Sequence, residues 1–344
     1  MTRSTVSRYA LVVMASLLLV AACGSTSTTA KQPTSGKLTN ITFTLNFTAA
    51  GPQAGFMYAQ QLGYYRQAGL KVTIVQGTGS VTTADEVASG TSQMGLSDAP
   101  STMGVIAKGG AVEIVAPILQ TNAYSIMSLK SSNITSVQDL AGKTIALQPG
   151  TAQTALLAAI FATNGMSESQ VTVESVASSA IDGLLLSGKV AAVLAGADTQ
   201  APEMEATGAQ LNQLMYSAIG APTIGLSIIA NEHLVQTDPE AVTEFVSASL
   251  KGWDAARKDP TAAAHAVFSQ FPSAGTEAAF LVDLKVDLPH LCSAPGATHI
   301  GAVPKAVWEK TYTLLTKYDQ LPTVLPLEDY YTTAFEPKSA PACG

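Results

Sequence analysis

The chain has 344 residues, 12% charged and 47% hydrophobic, with 18 basic against 25 acidic side chains and a net charge of −7. That length accommodates two domains and a sizeable core. The acidic balance, with no interleaving of aromatic and basic residues, excludes nucleic-acid binding, which needs cations for the phosphates.

Residues 1–22 read as an export signal. Arg3 and Arg8 precede an apolar run from Tyr9 to Ala22 that is too short to span a bilayer as a mature helix. Val20-Ala21-Ala22-Cys23-Gly24-Ser25 then resembles the lipobox of bacterial lipoproteins, which implies a lipid on Cys23. The plainer alternative is an ordinary signal peptide followed by a coincidental Cys. There is no Arg-Arg pair, which favours the general secretory route. Removing Arg3 and Arg8 with the leader takes the net charge from −7 to −9 and leaves two arginines, Arg66 and Arg257. Residues 23–37 are the lipidated Cys and a small, polar, flexible tether.

From residue 41 the pattern is strand, helix, strand. Ile41, Phe43, Leu45 and Phe47 alternate with Thr42, Thr44 and Asn46, the period of a strand. Phe56, Ala59, Leu62 and Tyr65 have helical spacing, predicting a helix over 52–67 with Pro at its start and Gly69 at its end. Strands over 71–75 and 93–97 flank a helix opened by Gly77-Thr78-Gly79-Ser80. A helix over 101–108 and a buried strand over 112–119 follow. Strands alternating with single helices predict a mostly parallel sheet with ligands beyond its carboxyl ends. A second α/β unit runs from a strand over 120–130 through strands at 143–147, 171–176, 190–194 and 214–216. A strand over 221–229 returns, and from Pro239 onward helices, first in the stretch 241–260 and then at 261–271, 277–286 and 305–318, complete the chain. Crossings near 120–125 and 220–225 suggest a hinge. Lobe one is therefore read as 38–122 and, with the C-terminal helices, 222–335; lobe two is 123–221, and 336–344 is a tail. With Cys23 lipidated, Cys292 and Cys343 remain, an even number in an exported chain. They form a disulfide or stay as two free thiols, and export favours the disulfide.

At this point several stretches become recognisable: LNF, AGF, LGYYRQAGLKV, GTGS, VASG and MGLSD, then DLAGKTIALQPGTAQTALL, LLLSGKVAAV and FVSASLKGWDAARKDPTAAA. Their order over roughly residues 40–270 resembles the substrate-binding proteins of ABC importers for nitrate, aliphatic sulfonates, taurine and thiamine-pyrimidine precursors. Two positions depart from that family: Phe47 stands where Trp is common, and Ala191 where a Val-Asp-Ala stretch has Asp. The resemblance implies a type II periplasmic-binding-protein fold, α/β, with two lobes joined by a two-strand hinge that close over a small molecule. It also implies a monomer that delivers its ligand to a membrane permease with a cytoplasmic ATPase. Lipid on Cys23 would tether it to the outer face of the cell membrane. No cofactor is implied.

Eleven ligand-binding candidates lie at strand ends and helix starts. Asn46 and Gln53 end the first strand and open its helix; Asn46 is equally a turn residue. Phe56 is read as core. Gly79 and Ser80 open the next helix and offer amides and a hydroxyl, unless Ser80 simply caps that helix. Ser97 and Asp98 end a strand. Asp98 is either an N-cap or an acceptor for an amine or protonated ring nitrogen. Tyr124 lies near the hinge, to stack on a flat ligand or to pack there. Gly150, Thr151 and Gln153 open a helix whose free amides would accept anions or orient carbonyls. Asp198, with Thr199 beside it, follows the strand at 190–194.

His233, His265, His290 and His299 show no metal-ligand spacing. Gly95-Leu96-Ser97-Asp98-Ala99 only faintly echoes a nucleophile elbow, with Ala in place of the last Gly and no partner His. The candidate loops hold Asp and no Arg or Lys. They favour a neutral or weakly cationic heteroaromatic such as a pyrimidine. The alternative is a small oxyanion (sulfonate, taurine or nitrate) held by amides alone. An enzyme like the fungal thiamine-pyrimidine synthase is a further alternative, opposed by export and by the lack of a cysteine cluster. A surface lipoprotein that binds a sensor is a third.

Overall fold

The computed structural model describes residues 38–344 apart from 319, 338 and 344. The export signal at 1–22, Cys23 and the tether to residue 37 lie outside the described residues. The chain builds β1 (Thr39–Thr44), α1 (Ala54–Gln61), α2 (Tyr64–Gln67), β2 (Leu70–Val75), α3 (Ser80–Ala88), β3 (Met94–Asp98), α4 (Ala99–Ile106) and β4 (Val112–Pro117). It then crosses and builds β5 (Tyr124–Leu129), β6 (Thr144–Leu147), α5 (Ala152–Ala155), α6 (Leu157–Thr163), β7 (Thr172–Ser175), α7 (Ser178–Leu186), β8 (Ala192–Gly196), α8 (Gln200–Ala206) and β9 (Leu211–Met215). It returns through β10 (Leu226–Asn231) and ends with α9 (Glu232–Thr237), α10 (Pro239–Lys258), α11 (Pro260–Gln270), α12 (Glu277–Asp287) and α13 (Lys305–Lys317). The described residues form one compact unit.

The strands form two five-stranded sheets, β2-β1-β3-β10-β4 and β7-β6-β8-β5-β9. Both are mixed rather than mostly parallel, because the strands that follow the two crossings run backwards. β10 is antiparallel to β3 and β4, and β5 is antiparallel to β8 and β9. The crossings themselves are not strands. They are paired segments, in which the Asn122 amide donates to Thr223 O at 3.1 Å and its side-chain amide to Thr223 Oγ1 at 2.8 Å.

The alternation in β1 is real: Ile41, Phe43 and Leu45 are buried. Phe43 packs 4.7 Å from Phe56 and 4.9 Å from Phe245, and Phe56 sets its ring edge-on to Trp253 at 5.8 Å. Each such aromatic contributes roughly 1.5–3 kcal/mol on burial. α10 supplies the covering face because Val242, Phe245, Val246, Leu250 and Trp253 recur at helical spacing and are all buried. A second cluster runs across both sheets, joining Met103 and Ile229 to Ile126, Leu147, Phe161 and Tyr216.

The helix predicted over 52–67 is broken. A 3-10 turn at Gly51–Gln53 precedes α1, and Gly63 takes a left-handed φ of 74° before α2. That conformation costs little only without a Cβ. The helix expected to run on from Gln153 also breaks, at Leu156, into α5 and α6. Near the C-terminus a disulfide joins Cys292 to Cys343, Cα atoms 5.5 Å apart, and the Ile300 amide donates to Pro341 O. No helix of the described residues is long and apolar enough to cross a membrane.

Candidate functional site

A cavity of about 400 Å³ lies between the two sheets. One wall is the exit of β1 from Asn46 to Ala50 with Pro52, Gln53, Gly79 and Ser80; the opposite wall carries Tyr124, Gln148, Thr151, Gln153 and the starts of α7 and α8. Ala274, Gly275, Ala279 and Phe280, at and before the start of α12, form a third side.

Of the eleven sequence candidates, Asn46, Gln53, Gly79, Ser80, Tyr124, Thr151, Gln153 and Asp198 line the cavity. Gln53 is held from both ends. Its oxygen accepts the Ala50 amide at 2.9 Å and its NH2 donates to Asn46 Oδ1 at 2.8 Å, which leaves the Asn46 NH2 for a ligand. Ser80 is not its own cap. It is the first residue of α3 after Gly79, and its Oγ accepts the Asp98 amide at 3.3 Å, so its hydroxyl proton remains available. Thr151 does cap its helix, accepting the Thr154 amide at 3.4 Å. That helix, α5, has four residues, too few to act as an anion-binding dipole.

Three candidates lie behind the wall. Ser97 is fully buried and donates to Ser80 O at 2.9 Å. Asp98 is fully buried beside Tyr124. It precedes α4, yet its side chain makes no capping bond and both its oxygens lack a hydrogen bond. β3 lies in the middle of its sheet, with β10 along its full length, so its end is covered rather than open. Gly150 is spent on contact between the halves: its carbonyl accepts the Val81 amide at 3.2 Å. Beside it the Gln148 side chain donates to Thr78 O at 2.9 Å. A Cβ on Gly79 would sit 2.6 Å from Gly150 O, so glycine is what allows this approach.

The electrostatics are one-sided. Asp182, Asp198 and Glu203 line the cavity, and no Arg, Lys or His does. Burial pushes the Asp198 carboxyl up to about 6, although its own amide and the amide and hydroxyl of Thr199 pull it down. Asp182 and Glu203 are also raised, first by burial and, for Glu203, by the Asp182 charge. Behind them, burial and then the charges of Glu203 and Asp198 push Asp283 up to about 8. Burial takes Asp98 to about 8. Such a cavity favours N–H donors and disfavours anions. Phe47, Tyr124 and Phe280 offer aromatic surface, with Ile181, Leu194 and Leu226 between them.

Sequence reasoning missed Gln148, Asp182, Glu203 and the whole third side at Ala274–Phe280. Asp182 and Glu203 carried no sequence signal beyond position: each is an acid near the start of a helix that follows a strand of the second sheet. No cluster of His, Cys, Asp and Glu able to hold a metal ion occurs among the described residues.

Residues 52–263 match the family described as NMT1/THI5 like. The chain is 26% identical over 250 residues to the riboflavin-binding protein RibY of Chloroflexus aurantiacus, covering 69% of this chain and 70% of that protein. It is 30% identical over 105 residues to a 4-amino-5-hydroxymethyl-2-methylpyrimidine phosphate synthase of Legionella pneumophila, spanning 30% of this chain and 33% of the synthase. In shape it is similar to the alkanesulfonate-binding protein SsuA of Xanthomonas axonopodis pv. citri bound to MOPS, with a TM-score of 0.68 over 86% of this chain and 99% of that one, at 16% identity. The protein therefore belongs to the NMT1/THI5-like family and has the periplasmic-binding-protein fold.

Proposed function

We propose that the protein is an extracytoplasmic solute-binding protein that captures a pyrimidine-type heteroaromatic between two lobes and delivers it to an ABC transporter permease. The lobes are residues 38–122 with 222–335, and 123–221. The observation that carries the ligand class is the cavity's lining: three carboxylates, several neutral amides and hydroxyls, aromatic faces and no basic side chain. A flat ring would lie against Phe47 and Tyr124. Its N–H groups would donate to Asp182, Asp198 or Glu203, and its ring nitrogens or carbonyls would accept from Asn46, Ser80 and Gln153. Lipid on Cys23 would hold the monomer at the outer face of the membrane.

The oxyanion alternative has one observation in its favour: Ser178 and Ser179, at the start of nine-residue α7, line the cavity. Against it, the Val81 amide at the start of α3 is already used by Gly150. The test is a thermal-shift panel on the chain from Gly24 with aminopyrimidines, hydroxymethylpyrimidine, riboflavin, taurine, alkanesulfonates and nitrate. A ligand at a hundred times its Kd adds roughly 2.7 kcal/mol of stability. Stabilisation by the heteroaromatics is expected; stabilisation by taurine or nitrate alone would overturn the ligand class.

A further inference from the structure

Asn46 and Gln53 both line the cavity, and Gln53 decides which end of the Asn46 amide a ligand can meet. The bonds begin at a group with only one sense. A backbone N–H can only donate, so the atom of Gln53 that meets the Ala50 amide at 2.9 Å is its oxygen. Its nitrogen is the other end of the same planar group, and it donates to Asn46 at 2.8 Å. The atom of Asn46 that accepts is therefore Oδ1, and the Asn46 NH2 is turned the other way. Turning Asn46 over would set NH2 against NH2. Turning Gln53 over as well would set its NH2 against the Ala50 N–H. The arrangement is local in origin. Gln53 is the third residue of the 3-10 turn Gly51–Gln53 and reaches back to the residue before that turn, with the spacing of a capping box. Gln53 is 2% exposed, and the loop it holds is tied again where the Ala49 amide donates to Gln76 Oε1 at 2.9 Å.

We propose that Gln53 is a positioning residue that fixes the polarity of Asn46, so that the site selects rings that turn a lone pair, and not an N–H, toward Asn46. The proposal deepens the reading of this cavity as the ligand site and rests on it. Ser80 works to the same end. Its Oγ accepts the Asp98 amide at 3.3 Å. Ser97 Oγ takes the Thr102 hydroxyl at 2.8 Å and gives its own proton to Ser80 O at 2.9 Å, so the Ser80 proton is left for the cavity. The opposite wall is of mixed sense. Gln200 is fixed in the same way, its oxygen taking the Gly196 amide at 2.8 Å, but Asp182, Asp198 and Glu203 line that wall as acceptors. An N–H of the ligand is thus accommodated at the second wall. At Asn46 it would meet an NH2 and lose its water without replacement. The solute therefore carries an acceptor edge and a donor edge on opposite sides of its ring.

Calorimetry on the chain from Gly24 at pH 8.5 compares two flat probes that are both neutral there. One is 4-aminopyrimidine, with a lone-pair nitrogen across the ring from its amino group; the other is 1,4-diaminobenzene, with N–H groups at both ends. The wild type should bind the first about tenfold more tightly or better. Gln53→Glu supplies a carboxylate that accepts both the Ala50 amide and the Asn46 NH2, two donors that hold it ionised, and so turns Asn46 Oδ1 toward the cavity. The ratio of the two affinities should then fall by about tenfold or more, with 1,4-diaminobenzene gaining in absolute terms. Equal weakening of both probes, with the ratio kept, would mark Gln53 as merely structural and overturn the proposal. Neutron diffraction from deuterated, ligand-free crystals tells ND2 from oxygen and reads the same polarity without a probe. The ND2 of Asn46 toward the cavity is expected; oxygen there would overturn the proposal even where a ligand binds. Diffraction decides the polarity whatever the probes do, so failure of both probes to bind is a failure of the ligand reading alone.

Discussion

Replacing Asp98 with Asn should flatten the pH dependence of stability. Asp98 is fully buried with both carboxyl oxygens unbonded, and burial raises its pKa to about 8. Unfolded, it titrates near the ordinary Asp value of about 3.9. The folded state therefore holds a proton that the unfolded state releases. The stabilisation is complete below about pH 4 and is lost as pH rises through about 8. Between roughly pH 5 and 7 the difference is close to one proton, so Asp98 alone costs about 1.4 kcal/mol of stability per pH unit. Asp283, also raised to about 8, adds in the same direction. Chemical denaturation at half-unit intervals from pH 5 to 8.5 measures the slope. Wild type should become less stable as pH rises. Asp98→Asn, which mimics the neutral acid in shape, should give a slope shallower by about 1.4 kcal/mol per unit. An unchanged slope would refute the placement of a protonated carboxyl beneath Tyr124.

Three further outcomes are expected. Gly79→Ala places a Cβ against Gly150 O, with 2.6 Å between them before relaxation, and should weaken ligand binding at least tenfold by propping the halves apart, with little change in ligand-free melting temperature. Titration calorimetry with whichever panel ligand binds reads this. Phe47→Ala removes a stacking face and should cost about 0.5–1.5 kcal/mol of affinity for a flat ligand, again by calorimetry. Cys343→Ser opens the loop closed by residues 51 apart in sequence, and denaturant unfolding should show a loss of about 4 kcal/mol.

Much of the first half is legible because its determinants are local. The alternation of Ile41, Phe43 and Leu45 survives in the sheet, and the spacing from Val242 to Trp253 gives the buried face of α10. Local signals also located the strand ends from which Asn46, Ser80 and Asp198 reach the cavity. They failed where long-range packing decides. Whether Ser97 and Asp98 stay open depends on β10, more than a hundred residues later, which covers the end of β3. The third side near Phe280 comes from the start of α12 and the residues just before it, where the sequence marks a helix over 277–286 and nothing that points to the cavity. Asp182 and Glu203 look like solvated helix positions, and it is only in the fold that Asp182, half-buried, and Glu203, still exposed, come to line one cavity. Gly79 and Gly150 each read as turn glycines, and their contact exists only in the assembled fold. The direction of β5 and β10 has the same origin, since a strand entered by a crossing must run back into its sheet.

The most direct measurement is titration calorimetry of the chain from Gly24 with an aminopyrimidine and, separately, with taurine, each repeated on Asp198→Asn. A saturable signal with the aminopyrimidine, weakened at least tenfold in Asp198→Asn, and none with taurine is what a cleft lined by carboxylates and without a basic side chain predicts. Saturable binding of taurine, unchanged or strengthened when Asp198 is neutralised, with no signal from the aminopyrimidine, would contradict it.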